Sequence, residues 1–112
     1  MPTDDRTLEE IVRRIVEGWH PDRIILFGSR ARQDARPESD YDLLVIMPYE
    51  GSPHRIVGKM YRAMIGTMAA KDILLTSPDK FEWRQHVVGT IEHDAAKEGI
   101  VVYDGATQTT RI

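Results

Sequence analysis

The chain has 112 residues, 41% apolar and 29% charged, enough for one folded domain that buries roughly two-thirds of the surface its unfolded form exposes. A formal net charge of −3 without a basic run argues against an extended nucleic-acid surface, and the absence of cysteine excludes disulfides and thiolate metal sites. Nothing resembles a signal peptide or an apolar span of about 18 residues, so a cytoplasmic protein without a membrane partner is expected.

In chain order, Leu8, Ile11, Val12, Ile15, Val16 and Trp19 keep the spacing of one helical face. The run TLEE offers a capping box with Thr7 three before Glu10, while Thr3 or Asp4 serves equally as the start. Pro21 ends this helix, and RIILF reads as a short buried strand. YDLLVIM (Tyr41 to Met47) is apolar on both faces, as a strand covered on both sides should be. After a loop from Pro48 to Pro53, a second helix is expected to turn Ile56, Val57, Met60, Met64 and Ile65 inward. DILLT (Asp72 to Thr76) is a third strand, and SPDKFEWRQ opens a helix with Ser77 as cap and proline in its first turn. Helix is expected in some form to Glu98, with Gly99 as its stop and IVVYD as a fourth strand.

This alternation gives an α/β (α+β) class: a small mixed sheet with helices packed on it, one domain over residues 1–104 and a polar, mobile tail over 105–112. The connection between the second and third strands carries a whole helix, which suits a parallel crossover. If the first two strands are antiparallel, the end of the first lies beside the start of the second. The turn Gly28-Ser29 and the carboxylates of Asp40, Asp42 and Asp72 then meet at one end of the sheet.

Asp40 and Asp42 are two apart on a strand and point the same way, so they can chelate one cation or bridge two. All-oxygen ligation suits Mg²⁺ or Mn²⁺, held by one or two carboxylates together with substrate phosphates. Gly28 lets backbone approach an anion, and Ser29 adds a hydroxyl and an N–H at the start of the short helical turn SRARQ. Arg30 and Arg32 either meet phosphate oxygens or are solvated. A phosphate cradle beside metal carboxylates points to phosphoryl or nucleotidyl transfer. The four histidines have no metal-ligand spacing, and GSPHRIVGKM is not a P-loop, because Pro53 stands where the first glycine belongs.

The stretch GSRAR…SDYDLLV followed by KDILL resembles the minimal nucleotidyltransferases of the DNA polymerase β superfamily. Their pattern is Gly-Ser, about ten residues, Asp-x-Asp/Glu on a strand, then an acidic residue on a later strand; here it falls on Gly28, Ser29, Asp40, Asp42 and Asp72. IEHDAAKEGIVVYDG is similar to the closing helix and strand of these proteins, so the resemblance covers nearly the whole chain. It implies a polymerase β-like fold in which Gly28 and Ser29 bind the β- and γ-phosphates of a nucleoside triphosphate and Asp40 and Asp42 hold divalent metal. Asp72 would complete the metal site or help deprotonate the attacking hydroxyl. It further implies nucleotidyl transfer to a hydroxyl with loss of pyrophosphate. Small stand-alone members are often antitoxins paired with an all-helical HEPN-type toxin, and for some the reaction is transfer of AMP from ATP onto a tyrosine of that partner.

Two readings follow. One is an active, Mg²⁺- and ATP-dependent nucleotidyltransferase; the other is a binding module of the same fold that neutralises a partner by covering it. Retention of three clustered carboxylates favours the first, and a small-molecule acceptor, which would call for a second domain, is not expected. Acceptor, nucleotide preference and self-association stay open at this stage.

Overall fold

The computed structural model describes residues 5–112. The first helix, α1 (Arg6–Trp19), is capped by Asp5, whose Oδ1 accepts from the Leu8 N–H at 3.0 Å. Thr7 therefore lies inside the first turn and the TLEE capping box does not form; Glu10 instead pairs with Arg13 and Arg14. The alternative starts at Thr3 and Asp4 fall outside the described residues. The helix closes at His20, which adopts a left-handed conformation before Pro21.

Strand β1 (Arg23–Phe27) leads through Gly28 into a single turn, α2 (Ser29–Arg32), and then to β2 (Tyr41–Ile46). Helix α3 (Pro53–Ala63) crosses over to β3 (Lys71–Thr76), followed by α4 (Pro78–Arg84), α5 (Ile91–Glu98), β4 (Ile100–Asp104) and β5 (Thr109–Thr110). The sheet order is β3-β2-β1-β4-β5. β1 pairs antiparallel with β2 and β4, whereas β2 and β3 run parallel, as a helical crossover requires. This is the mixed α/β sheet expected from the alternation of elements.

The pleat divides the core in two. Ile24, Leu26, Leu43, Val45 and Ile73 pack under α1 and α3 with Met60 and Met64. Ile25, Leu44 and Ile46 face the other way, against Phe81 of α4 and Ala95 of α5. Strand β2 is buried on both faces, which explains its unbroken apolar run. Gly99 serves that second layer by being small: a Cβ there would collide with the Ala95 carbonyl and with Ile25, although its backbone is ordinary extended chain.

Three further expectations need correction. Ile65 is not on the inner face of α3: Arg14 donates to the carbonyls of Ala63 and Ile65, the helix ends, and Ile65 is left exposed. The stretch from Ser77 to Glu98 is two helices, because Gly89 takes a positive φ and Thr90 caps α5 afresh by accepting from the His93 N–H. Finally, the C-terminal residues are not free of the sheet. Thr109 and Thr110 pair with Asp104 and Tyr103, and the Arg111 N–H donates to Val102 at 2.8 Å. Among the described residues no helix is long and apolar enough to cross a membrane.

Candidate active site

Strand register assembles the site. The antiparallel ladder sets Phe27 opposite Asp42, and the parallel ladder sets Asp72 opposite Asp42. The end of β1, the start of β2 and the start of β3 thus form one row across the sheet. Residues at alternate positions share a face, so Asp42 and Asp72 lie on the side of Leu44 and Leu74, which α4 and α5 cover further along. The carboxylates stand where that second layer gives out.

Gly28 closes the row. Its φ of 74° and ψ of −157° lie in a region that only glycine occupies readily, and a Cβ there would strike Asp42 Oδ2. The backbone turn and the carboxylate are in direct apposition, so any side chain at this position would be strained and would displace the carboxylate. Asp42 is half-buried, and its carboxyl is held above the ordinary carboxylate range. Burial is the largest cause, followed by the negative charges of Asp72 and Asp40, with Arg32 opposing them.

Among the described residues none of Asp40, Asp42 and Asp72 takes part in a salt bridge. An oxygen-only donor set outside any salt bridge, its charge offset in part by the nearby Arg32, is chemically suited to a hard divalent ion. The described residues do not close it into a cage of metal-ligating side chains. A site of this kind needs further oxygens from water or substrate, as Mg²⁺ sites commonly do.

The two arginines behave differently from the carboxylates. Arg30 turns toward the loop before β2: its guanidinium sits 3.9 Å above the Tyr41 ring and donates to the carbonyls of Ser39 (2.8 Å) and Pro37 (3.2 Å). It braces the segment that carries Asp40. Arg32 pairs with Asp34 and Glu98 while staying close enough to act on Asp42. Ser29 opens α2 directly beside Gly28.

Three further residues border the site without a signal in the sequence spacing. Tyr61, from the far side of the sheet, brings its hydroxyl to the start of β3, 2.8 Å from the Ile73 N–H and 3.5 Å from Asp72 Oδ1. Lys80 and Arg84 line a cavity of about 240 Å³ with Leu44 and Leu74, one step along each strand beyond Asp42 and Asp72. A larger cavity, about 500 Å³, opens at the opposite end of the sheet around Asp22, Arg23 and Asp104 and holds none of the predicted residues.

A family model described as a nucleotidyltransferase domain matches residues 6–102. Among solved structures, the chain is similar to a crystal structure from Sulfolobus solfataricus whose protein is classed as a nucleotidyltransferase. The TM-score is 0.66 at 18% identity, over 96% of this chain and 86% of that one, a likeness of fold. Among curated proteins there is no match.

Proposed function

Because the chain belongs to the nucleotidyltransferase domain family, we propose that the row of Gly28, Asp42 and Asp72 is the catalytic centre of a metal-dependent transfer of AMP from ATP to a protein hydroxyl. The acceptor in this reading is a tyrosine of an all-helical HEPN-type toxin, which the modification inactivates, and the chain acts as its antitoxin. Domains of this family generally use nucleoside triphosphates and divalent metals. The observation that carries the reading is the register that sets Asp42 opposite Asp72 and beside a glycine-only turn, with Asp40, just before β2, adding a further like charge.

Asp40 and Asp42 would hold Mg²⁺ or Mn²⁺, with Asp72 as a third ligand or as the base. Such an ion supplies charge neutralisation for the reacting phosphates and the leaving pyrophosphate. Gly28 lets backbone and the Ser29 hydroxyl approach the β- and γ-phosphates, and Arg32 adds positive charge at their edge. Asp72, the most exposed end of the row, receives the proton of the attacking hydroxyl. Asp42 keeps its orientation through apposition to Gly28.

We assign the acceptor to another protein because, among the described residues, the cavity beside the row is only about 240 Å³, smaller than ligand pockets usually are. Beyond the row there are two short helices and the β4–β5 hairpin. Ligand pockets normally bury most of their ligand in concave surroundings. A folded partner brings its own recognition surface and orients a hydroxyl for attack at the α-phosphate.

The test is incubation with ATP labelled at the α-phosphate, Mg²⁺ and, if the neighbouring reading frame encodes an all-helical HEPN-type protein, that protein, followed by mass spectrometry. A gain of AMP on a partner tyrosine, lost with Asp42→Asn, is the expected result. Equal neutralisation by wild type and Asp42→Asn without any adduct supports instead a non-catalytic binding module.

A further inference from the structure

Tyr61 does more than the fold asks of it. β3 is an edge strand, and part of its backbone faces away from β2. The Tyr61 hydroxyl accepts from the Ile73 N–H, which accounts for one of its contacts as a cap on that edge. It does not account for the other, in which the hydroxyl donates toward Asp72 Oδ1 at 3.5 Å. A hydroxyl facing the candidate base is in the position an acceptor has to take, and catalytic hydrogen bonds are often this long before the substrate is bound.

The other three tyrosines are placed elsewhere. Tyr41 is buried and donates to Asp5, Tyr103 is buried in the core, and Tyr49 accepts from Lys80. Tyr61 alone combines exposure, at 38%, with contact to a carboxylate of the row.

We propose that, when no protein acceptor is present, the chain adenylylates its own Tyr61 within one molecule; this rests on the nucleotidyl-transfer reading above. The Tyr61 oxygen attacks the α-phosphorus of ATP and an O–P bond forms. The bond from that phosphorus to the oxygen bridging to the β-phosphate breaks, and pyrophosphate leaves with the electron pair. The phenolic proton passes to Asp72 Oδ1. The product is a tyrosyl-AMP phosphodiester whose aryl oxygen no longer donates to Asp72.

The full chain, alone, is incubated with Mg²⁺ and ATP labelled at the α-phosphate, and its peptides are mapped by mass spectrometry. The expected result is one AMP on Tyr61 with an equal amount of pyrophosphate, at a first-order rate independent of chain concentration, and no label on Tyr61→Phe. AMP on any other residue, or a rate that rises with chain concentration, overturns the proposal. Calorimetry of Mg²⁺-dependent ATP binding by the wild-type chain separates the two levels. Binding without an adduct overturns the Tyr61 assignment alone; absence of both removes the nucleotidyl-transfer reading along with it.

Discussion

Two acidic residues on the same sheet face have met opposite fates. Glu92 is nearly inaccessible, yet its Oε2 accepts from the Thr76 hydroxyl at 2.8 Å and its Oε1 from Arg84 at 3.1 Å. Although burial opposes ionisation, those partners hold its carboxyl below the ordinary range. Asp42 is less buried, but it has two like charges for neighbours, no salt bridge among the described residues, and a raised carboxyl. One carboxylate is satisfied by the protein; the other has a place that a bound cation would satisfy. Clustered charge left in that state is what the proposed transfer chemistry would draw on.

The widest separation between the two is expected on activity. Asp42→Asn should lower AMP transfer by at least about 10³-fold, since bound metal supplies several kcal/mol of transition-state stabilisation. The same substitution should raise the melting temperature of the metal-free protein slightly by relieving repulsion. A raised carboxyl binds its proton more tightly in the folded chain, so its favourable contribution is present at low pH and is lost as pH rises through the folded value. The gap between Asp42→Asn and wild type should therefore be widest at neutral pH and close on acidification. A fall in melting temperature at neutral pH would make Asp42 structural.

Gly28→Ala tests the seat of Asp42 rather than its charge. The new methyl would collide with Oδ2 and hold a non-glycine residue at a φ of 74°, a strain of about 1–3 kcal/mol. Stability and transfer should fall together, in contrast with Asp42→Asn. Thermal unfolding and turnover measured on one preparation decide it; an unchanged melting temperature would mean that the turn relaxes freely.

The row was legible in the sequence for a physical reason. Once β1 and β2 are antiparallel and β3 is parallel, the registers set Phe27 and Asp72 opposite Asp42, and Gly28 and Asp40 follow as the residues next to those strand ends. Tyr61, Arg84 and Glu92 had no such rule. Tyr61 reaches β3 around the sheet edge, and Glu92 meets Arg84 only because the chain breaks at Gly89 and doubles back. The break itself was hidden because WRQHVVGT contains no proline. Ile65 was misplaced because the spacing alone did not reveal that Arg14, on another helix, would terminate α3.

Glu92→Gln removes the charge and keeps an amide oxygen for Thr76, so a smaller loss is expected, about 1–2 kcal/mol. The pair is buried on the glutamate side only, with the Arg84 side chain 37% exposed, which argues against the larger figure for fully buried pairs. A lowered carboxyl contributes stability above its unfolded value and loses it as pH falls through the folded one. The deficit of Glu92→Gln should accordingly be present at neutral pH and vanish in acid. Paired with Asp42→Asn, it gives two variants that depart from wild type in opposite directions and converge with it on acidification, a pattern that urea titrations at several pH values can read.

The smallest effect distinguishes a brace from a phosphate ligand at Arg30. A guanidinium stacked on Tyr41 and forked onto the Ser39 carbonyl is a geometry that an ammonium cannot reproduce. Arg30→Lys keeps the charge and loses the stack and the fork, about 0.5–1 kcal/mol of stability. As a brace, Arg30 acts on ATP only through the position of Asp40. Calorimetry should then find Mg²⁺-dependent ATP affinity reduced less than tenfold, with the lost stability visible equally in the absence of nucleotide. As a ligand, Arg30 would show the reverse: unchanged stability without nucleotide and a loss of affinity that persists when Mg²⁺ is saturating. Salt separates the two once more, because an exposed phosphate contact weakens with ionic strength while a stacked, partly buried guanidinium does so much less.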